Sequence, residues 1–172
     1  KQPERAFRVN ADAAGELALL SRIASVPMIH ISTDAVFDGT QGNYKETDIP
    51  NPLNTYAKSK LAGEQAVAEA NPEAAIARVV FYGWSLTGTR SLAEFFYNNL
   101  SAGKSVSGFT DMFFSPLYVA HLAETLLDML QKRLSGIYHV YAPESLSKYD
   151  FGVRLAHEFG LDASLIHPIS AL

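Results

Sequence analysis

Tyr56 and Lys60 stand four residues apart in the segment Asn54-Thr55-Tyr56-Ala57-Lys58-Ser59-Lys60-Leu61-Ala62-Gly63-Glu64. On a helix that spacing puts both side chains on one face. A free tyrosine titrates near pH ~10 and is a poor acid at neutrality. A neighbouring ammonium stabilises the phenolate, which makes the tyrosine a workable proton donor for a reaction that generates an alkoxide. Upstream, the apolar run from Val26 ends at Ile31-Ser32-Thr33-Asp34. Hydroxyls at the carboxyl end of a parallel strand lie where open α/β sheets place their ligands. Thr33 there can hydrogen-bond a carbonyl oxygen, and capping the next turn is its plainer use. An ordinary amphipathic helix with lysine stems along its surface is the commoner source of a Tyr-x-x-x-Lys pair.

These residues need elements to carry them. From Ala6 to Ser25 the spacing of Val9, Leu17, Leu20 and Ile23, with Ala13 and Ala24 on the same side, predicts an amphipathic helix. Val26–Ser32 and Ala75–Phe81 read as short strands buried on both faces. Between them, residues 34–54 carry Asp38-Gly39, Gly42-Asn43 and two prolines, Pro50 and Pro52, a long loop that can return the chain to the strand end. A helix follows from Thr55 to Ala70 and stops at Asn71-Pro72. Ser91 and Glu94 form a capping-box pair opening a helix to Ala102. Tyr118–Arg133 is a helix with Leu122, Leu126, Leu127 and Leu130 on one side, Gly136–Tyr141 a strand, and Ser147 caps a helix reaching Gly160. Ile166–Ile169 is a last short strand. Alternating buried strands and helices predict an α/β fold with a mainly parallel sheet. Residues 1–83 are expected to form part of a Rossmann-type domain and residues 84–172 a mainly substrate-binding region, with some elements interleaved.

Composition narrows the function. Fourteen Lys plus Arg against eighteen Asp plus Glu give a net charge of −4, which offers no broad attraction to nucleic acid or to an anionic membrane. The chain has no cysteine, so disulfides, thiolate metal sites and cysteine nucleophiles are excluded. No apolar run reaches the roughly 20 residues of a membrane span, and no signal-like segment opens the chain, so a cytoplasmic protein is expected. The histidines, His30 in mid-strand among them, have no acidic or histidine partner at metal spacing, and a satisfied core residue is expected at His30.

The segments His30-Ile31-Ser32-Thr33-Asp34-Ala35-Val36-Phe37-Asp38-Gly39, Tyr44-Lys45-Glu46-Thr47-Asp48 and Pro52 through Glu64 occur in that order. Arg78 through Gly83, Phe114-Ser115-Pro116 and Gly136-Ile137-Tyr138-His139 follow. Together they resemble the extended, sugar-nucleotide-modifying branch of the short-chain dehydrogenase/reductase superfamily, above all the dTDP-4-dehydrorhamnose reductase family. The resemblance runs over nearly the whole chain. It implies a Rossmann-type doubly wound sheet, NADP or NAD as cofactor, and a nucleotide-linked 4-keto-6-deoxy sugar as substrate. Tyr56 would protonate the C4 alkoxide, and Lys60 would hydrogen-bond the nicotinamide ribose and make Tyr56 a better acid. Thr33 would orient the substrate carbonyl. Asp34 and Phe81 would touch the sugar.

The chain departs from the family's usual pattern at Ala35, Phe81, Met112 and Leu117, where an aromatic residue, Trp, Gln and Thr are common. These changes leave the particular sugar open. The glycine-rich turn that holds a dinucleotide's pyrophosphate in this family does not occur in the sequence; Gly39 and Gly42, with Lys45 in the third place, lie in the wrong loop. By the resemblance the chain starts just before the helix that precedes the catalytic strand. The N-terminal half is then expected to be missing, leaving an open apolar sheet edge, weak dinucleotide binding, and a homo-oligomer as one outcome. Within the superfamily an epimerase or dehydratase is the nearest alternative; from another class, it is a non-catalytic regulatory subunit. No metal site is expected. Trp84, Phe81 and Tyr82 either line a sugar site or pack inside, while Phe95, Phe96 and Tyr97 are expected in the core.

Overall fold

A computed structural model describes residues 2–171. In chain order the elements are α1 (Pro3–Phe7), a π-helical turn (Arg8–Asp12), α2 (Ala13–Ile23), β1 (Ile29–Thr33), a 3-10 turn (Asp34–Val36) and α3 (Thr55–Ala70). Then come β2 (Ala75–Val79), β3 (Phe81–Tyr82), α4 (Leu92–Ser101), β4 (Val106–Phe109), β5 (Phe113–Phe114), β6 (Leu117–Tyr118) and α5 (Val119–Gln131). β7 (Gly136–Val140), β8 (Leu146–Ser147), α6 (Lys148–Glu158), a second 3-10 turn (Ala163–Leu165) and β9 (Ile166–Ile169) complete the chain. No helix among the described residues is long and apolar enough to cross a membrane.

The chain divides into two compact units, residues 1–79 with 123–140, and residues 80–122 with 141–172. The first is built on a three-stranded parallel sheet in the order β1-β2-β7, with Ser32, Arg78 and His139 side by side across it. All five residues of β2 are buried, as a central parallel strand requires. Met28 O accepts from Ala75 N, so residues 28, 30 and 32 turn their backbone groups toward β2. Residues 29, 31 and 33 therefore turn theirs to the outer edge. α3 packs on this sheet, and α2 packs on α3.

The α2 seam corrects the sequence reading. Val9, Leu17, Leu20 and Ile23 are exposed, and the buried residues are Ala11, Ala14 and Ala18. Small residues win because the helices lie too close for large ones. A Cβ on Gly63 would stand 2.0 Å from Asn10 O, and one on Gly15 would stand 3.1 Å from Ala66 Cβ. Asn10 Nδ2 donates to Ser59 Oγ at 2.9 Å across the same seam. On α5 the reading holds for Leu122, Leu126 and Leu130, which are buried or half-buried, and fails for Leu127. Leu122 and Met129 are buried and Leu127 is 58% exposed.

The second unit carries three two-stranded pairings: β3 with β6 and β4 with β9, both parallel, and β5 with β8, antiparallel. Phe96, Leu100, Phe151, Leu155 and Ile166 form its core between α4, α6 and β9. The run read as one strand to Phe81 is in fact two: β2 ends at Val79, and Phe81–Tyr82 pairs with Leu117–Tyr118.

Candidate active site

α3 begins where the sequence places it, at Thr55, and the residue before it, Asn54, caps it: its Oδ1 accepts from Ala57 N at 2.9 Å. That cap fixes the first turn, which carries Tyr56. Tyr56 is 54% exposed. Its carbonyl accepts from Ser59 Oγ at 2.8 Å, and Ser59 is in turn the acceptor for Asn10. The first turn of α3 is thus tied to the helical segment behind it while the phenol faces outward.

Lys60 lies one turn on. Its Nζ donates to Ile31 O at 2.5 Å, a carbonyl on the outer edge of β1. Burial of the ammonium lowers its pKa, and the Glu64 carboxylate works against that shift. Thr33 is buried at the end of β1; its Oγ1 accepts from Ala35 N at 3.2 Å and donates to Asp34 Oδ1 at 3.1 Å. Its capping use is therefore realised, and its hydroxyl proton is held by Asp34. α3 packs against both β1 and the turn after it, so Thr33, Asp34, Tyr56 and Lys60 belong to one unit. Phe81 belongs to the other. It is 53% exposed on β3, beside a cleft of about 420 Å³ that Trp84, Arg90 and Val119 also line.

Three features escaped the sequence. The first is a buried ion pair beneath the helix. Glu64 and Arg78, 3% and 2% exposed, meet at 2.8 Å, and Arg78 Nε also donates to Glu64 Oε1 at 3.0 Å. Ser32 Oγ donates to Glu64 Oε1 at 2.5 Å. Arg78 stands 5.0 Å over the Phe37 ring and 3.4 Å from His139 Nε2, and His139 N donates to Glu46 Oε1 at 2.9 Å. The only hint was the i, i+4, i+8 series Tyr56, Lys60, Glu64, together with an arginine in an apolar strand.

The second is Glu94. Besides its capping role, its carboxylate accepts from Ser85 N, from Ser85 Oγ at 3.0 Å, from Arg90 N at 2.7 Å and from Ser91 N at 2.8 Å. Burial raises its pKa, but the N–H groups of Ser91, Ser85 and Arg90 and the Ser85 hydroxyl outweigh that and bring it to about 2. One carboxylate therefore clasps both ends of the loop that lines the Phe81 cleft. The third is His30. It is in the core, but it is not satisfied as expected: its buried Nε2 has no hydrogen-bond partner. Burial, then the Lys60 charge, lower its pKa to about 4 against the opposing pull of Glu64.

The remaining aromatic residues divide. Phe96 is in the core, Phe95 is 45% exposed, and Trp84 is 49% exposed with edge-on contacts to Tyr97 and Phe159. Among the described residues no three His, Cys, Asp or Glu side chains gather as metal ligands.

Comparison with known proteins bears on this arrangement. The chain is 40% identical over 168 residues to the probable low-salt glycan biosynthesis reductase Agl14 of Haloferax volcanii, covering 95% of this chain and 56% of that protein. It is 36% identical over 173 residues to the dTDP-4-dehydrorhamnose reductase of Mycobacterium tuberculosis, covering 96% and 56%. It is also 35% identical over 175 residues to methionine adenosyltransferase 2 subunit beta of Bos taurus, covering 98% and 52%. The chain thus spans little more than half the length of these relatives. A crystal structure of a dTDP-4-dehydrorhamnose reductase from Bacillus anthracis in complex with NADP superposes with a TM-score of 0.91 at 28% identity, over 98% of this chain and 59% of that one. A hypothetical dTDP-4-dehydrorhamnose reductase from Sulfolobus tokodaii superposes with a TM-score of 0.86 at 32% identity, over 98% and 59%. These superpositions establish the Rossmann-type α/β fold. The profile of the RmlD substrate binding domain matches residues 1–172, and the chain belongs to that family.

Proposed function

We propose that the chain carries the proton-donating residues of an NADP(H)- or NAD(H)-dependent reductase acting on a nucleotide-linked 4-keto-6-deoxy sugar. The observation that carries this reading is the outward face of α3. Tyr56 and Lys60 lie one turn apart on a helix seated against the strand that ends in Thr33. The phenol is exposed, and Lys60 has donors to spare beyond its bond to Ile31 O. Those donors fit the ribose hydroxyls of a nicotinamide nucleotide, so Tyr56 and Lys60 would hold that end of the cofactor. When bound, the nicotinamide supplies a hydride to the carbonyl carbon. As the C–H bond forms and the C=O π bond breaks, Tyr56 gives its proton to the oxygen, and solvent restores that proton. Lys60 places a positive charge beside the phenolate that remains. Thr33 turns its hydroxyl from Asp34 to the carbonyl oxygen before reaction.

The test is Tyr56→Phe in the full-length protein, followed by NADPH oxidation with a dTDP-linked 4-keto-6-deoxy sugar. The substitution removes the donor and little packing, so turnover falls by about two to four orders of magnitude, the usual worth of general acid catalysis. Turnover near that of the parent removes Tyr56 from the mechanism.

The similarity to methionine adenosyltransferase 2 subunit beta supports a second reading, a non-catalytic subunit of a partner enzyme. It predicts that the Tyr56→Phe protein keeps its partner's activity unchanged while showing no reductase activity before or after substitution.

A further inference from the structure

A buried ion pair is a poor source of stability, because desolvating two charges offsets most of their attraction, and it is better suited to fixing a geometry. Here the pair sits at a junction. Glu64 is one turn beyond Lys60 and two beyond Tyr56 on α3. Its carboxylate receives Arg78 from the central strand β2 and Ser32 from β1, the residue just before Thr33. Arg78 continues the contact to His139 on β7 and to Phe37, whose ring stacks on Tyr44 at 4.3 Å in the loop that joins β1 to α3. Helix, strand end and connecting loop are thus bolted at one point.

Resting on the reading that Tyr56 and Lys60 are catalytic, we propose that Glu64 and Arg78 are positioning residues for them. The pair, tied through Ser32 to the strand that ends in Thr33, fixes where α3 rides on β1 and holds a balanced charge one helical turn from Lys60. Of the titratable groups near α3, His30 on β1 and Glu64 interact with Lys60. Asp34 lies in the turn after β1, and Glu4, Arg5, Arg8, Asp12 and Glu16 on the helical segment behind α3 are exposed. Glu64 is therefore the anion that supports the half-buried ammonium, and Arg78 keeps that anion balanced.

The pair's two halves act on Lys60 with opposite sign, which separates this role from a purely structural one. Glu64→Gln leaves Arg78 unbalanced and lowers the Lys60 pKa. Arg78→Met leaves Glu64 unbalanced and raises it. The double variant returns it toward the parent value. Lys60 ionisation is followed by NMR of isotopically methylated lysines in the full-length protein, with Lys60→Arg assigning the signal. Ser32→Ala, a small change that keeps both charges, loosens the seat of α3. It lowers kcat about tenfold with KM for the cofactor unchanged, as expected of a small misplacement of catalytic groups. Single-charge variants that move Lys60 in the same direction, or not at all, overturn the proposal, as does a Ser32→Ala protein with parental kcat. If the single-charge variants do not fold, Ser32→Ala and the double variant decide it. Undiminished turnover in Tyr56→Phe would remove the catalytic reading alone and leave the Lys60 titration as the separate measure of the pair.

Discussion

Gly63→Ala sets two effects of known size against each other. In a helix interior alanine is favoured over glycine by about 1 kcal/mol. At this position the added Cβ would stand 2.0 Å from Asn10 O, 3.1 Å from Asn10 C and 3.2 Å from His30 Nε2. The first contact is with backbone, which cannot rotate away, so the π-helical turn and α3 must part by roughly 1 Å, an over-packing strain of about 1–3 kcal/mol. Parting them breaks the Asn10–Ser59 hydrogen bond, about 1 kcal/mol more. It also loosens the fully buried Ala18 and Val67. The losses exceed the propensity gain, and Gly63→Ala is destabilised by about 1–3 kcal/mol. Gly15→Ala in the same seam meets Ala66, its Cβ at 3.1 Å and its backbone O at an ordinary 3.6 Å, and stays within about 0.5 kcal/mol of the parent. Urea unfolding of the full-length protein, followed by helical circular dichroism, measures both. A Gly63→Ala midpoint at or above the parent's refutes the close-approach argument.

His30 makes the fold sensitive to acid. Its imidazole titrates near 4 in the fold against 6.5 unperturbed, so the unfolded chain binds the proton first; the stabilisation is complete above pH 6.5 and is lost as pH falls toward 4. The shift corresponds to about 3 kcal/mol, and His139, whose pKa is also lowered by burial, adds in the same direction. Unfolding midpoints measured across that range for the parent and His30→Leu check this, and equal slopes would exclude His30. Glu94→Ala frees both ends of the 85–91 loop. It makes that loop the first site of limited proteolysis and, on the function proposed above, raises KM for a nucleotide sugar about tenfold, while dinucleotide affinity is unchanged. A protease-resistant loop in that variant would show that the clasp is redundant.

The sequence was most legible where chemistry is local. The bounds of α3 and the Ser91–Glu94 capping box follow from residues within a few positions of each helix end. The apolar run of β2 is legible for a similar reason, since a strand buried on both faces needs no partner to betray it. What failed depended on distance. Counting large apolar residues put the wrong face of the 8–23 helical segment inside, because its spacing from α3 is set by Gly63 against Asn10, by Gly15 against Ala66 and by alanines that carry little hydrophobic signal. The Glu64–Arg78 pair joins residues 14 apart on a helix and a strand, and its meaning needs the β1–β2–β7 register. The strand β4 was missed because its partner, β9, lies some sixty residues on, and four residues containing Ser107 and Gly108 do not announce a strand.

The Ile31 carbonyl has a consequence for association. A strand edge with unsatisfied acceptors is a template for any other chain that can pair with it, and a lysine is among the devices by which natural proteins blunt such edges. Lys60 reaches from α3 to Ile31 O and holds an ammonium where an incoming strand would have to place an amide. Any strand that docks on β1 must displace that charge, and displacement frees Lys60 to swing toward the exposed face it shares with Tyr56. One donor of Lys60 thus guards the strand edge, and on the catalytic reading proposed above the same ammonium's remaining donors would serve the cofactor, so a strand that pairs with β1 would also change the footing of Lys60.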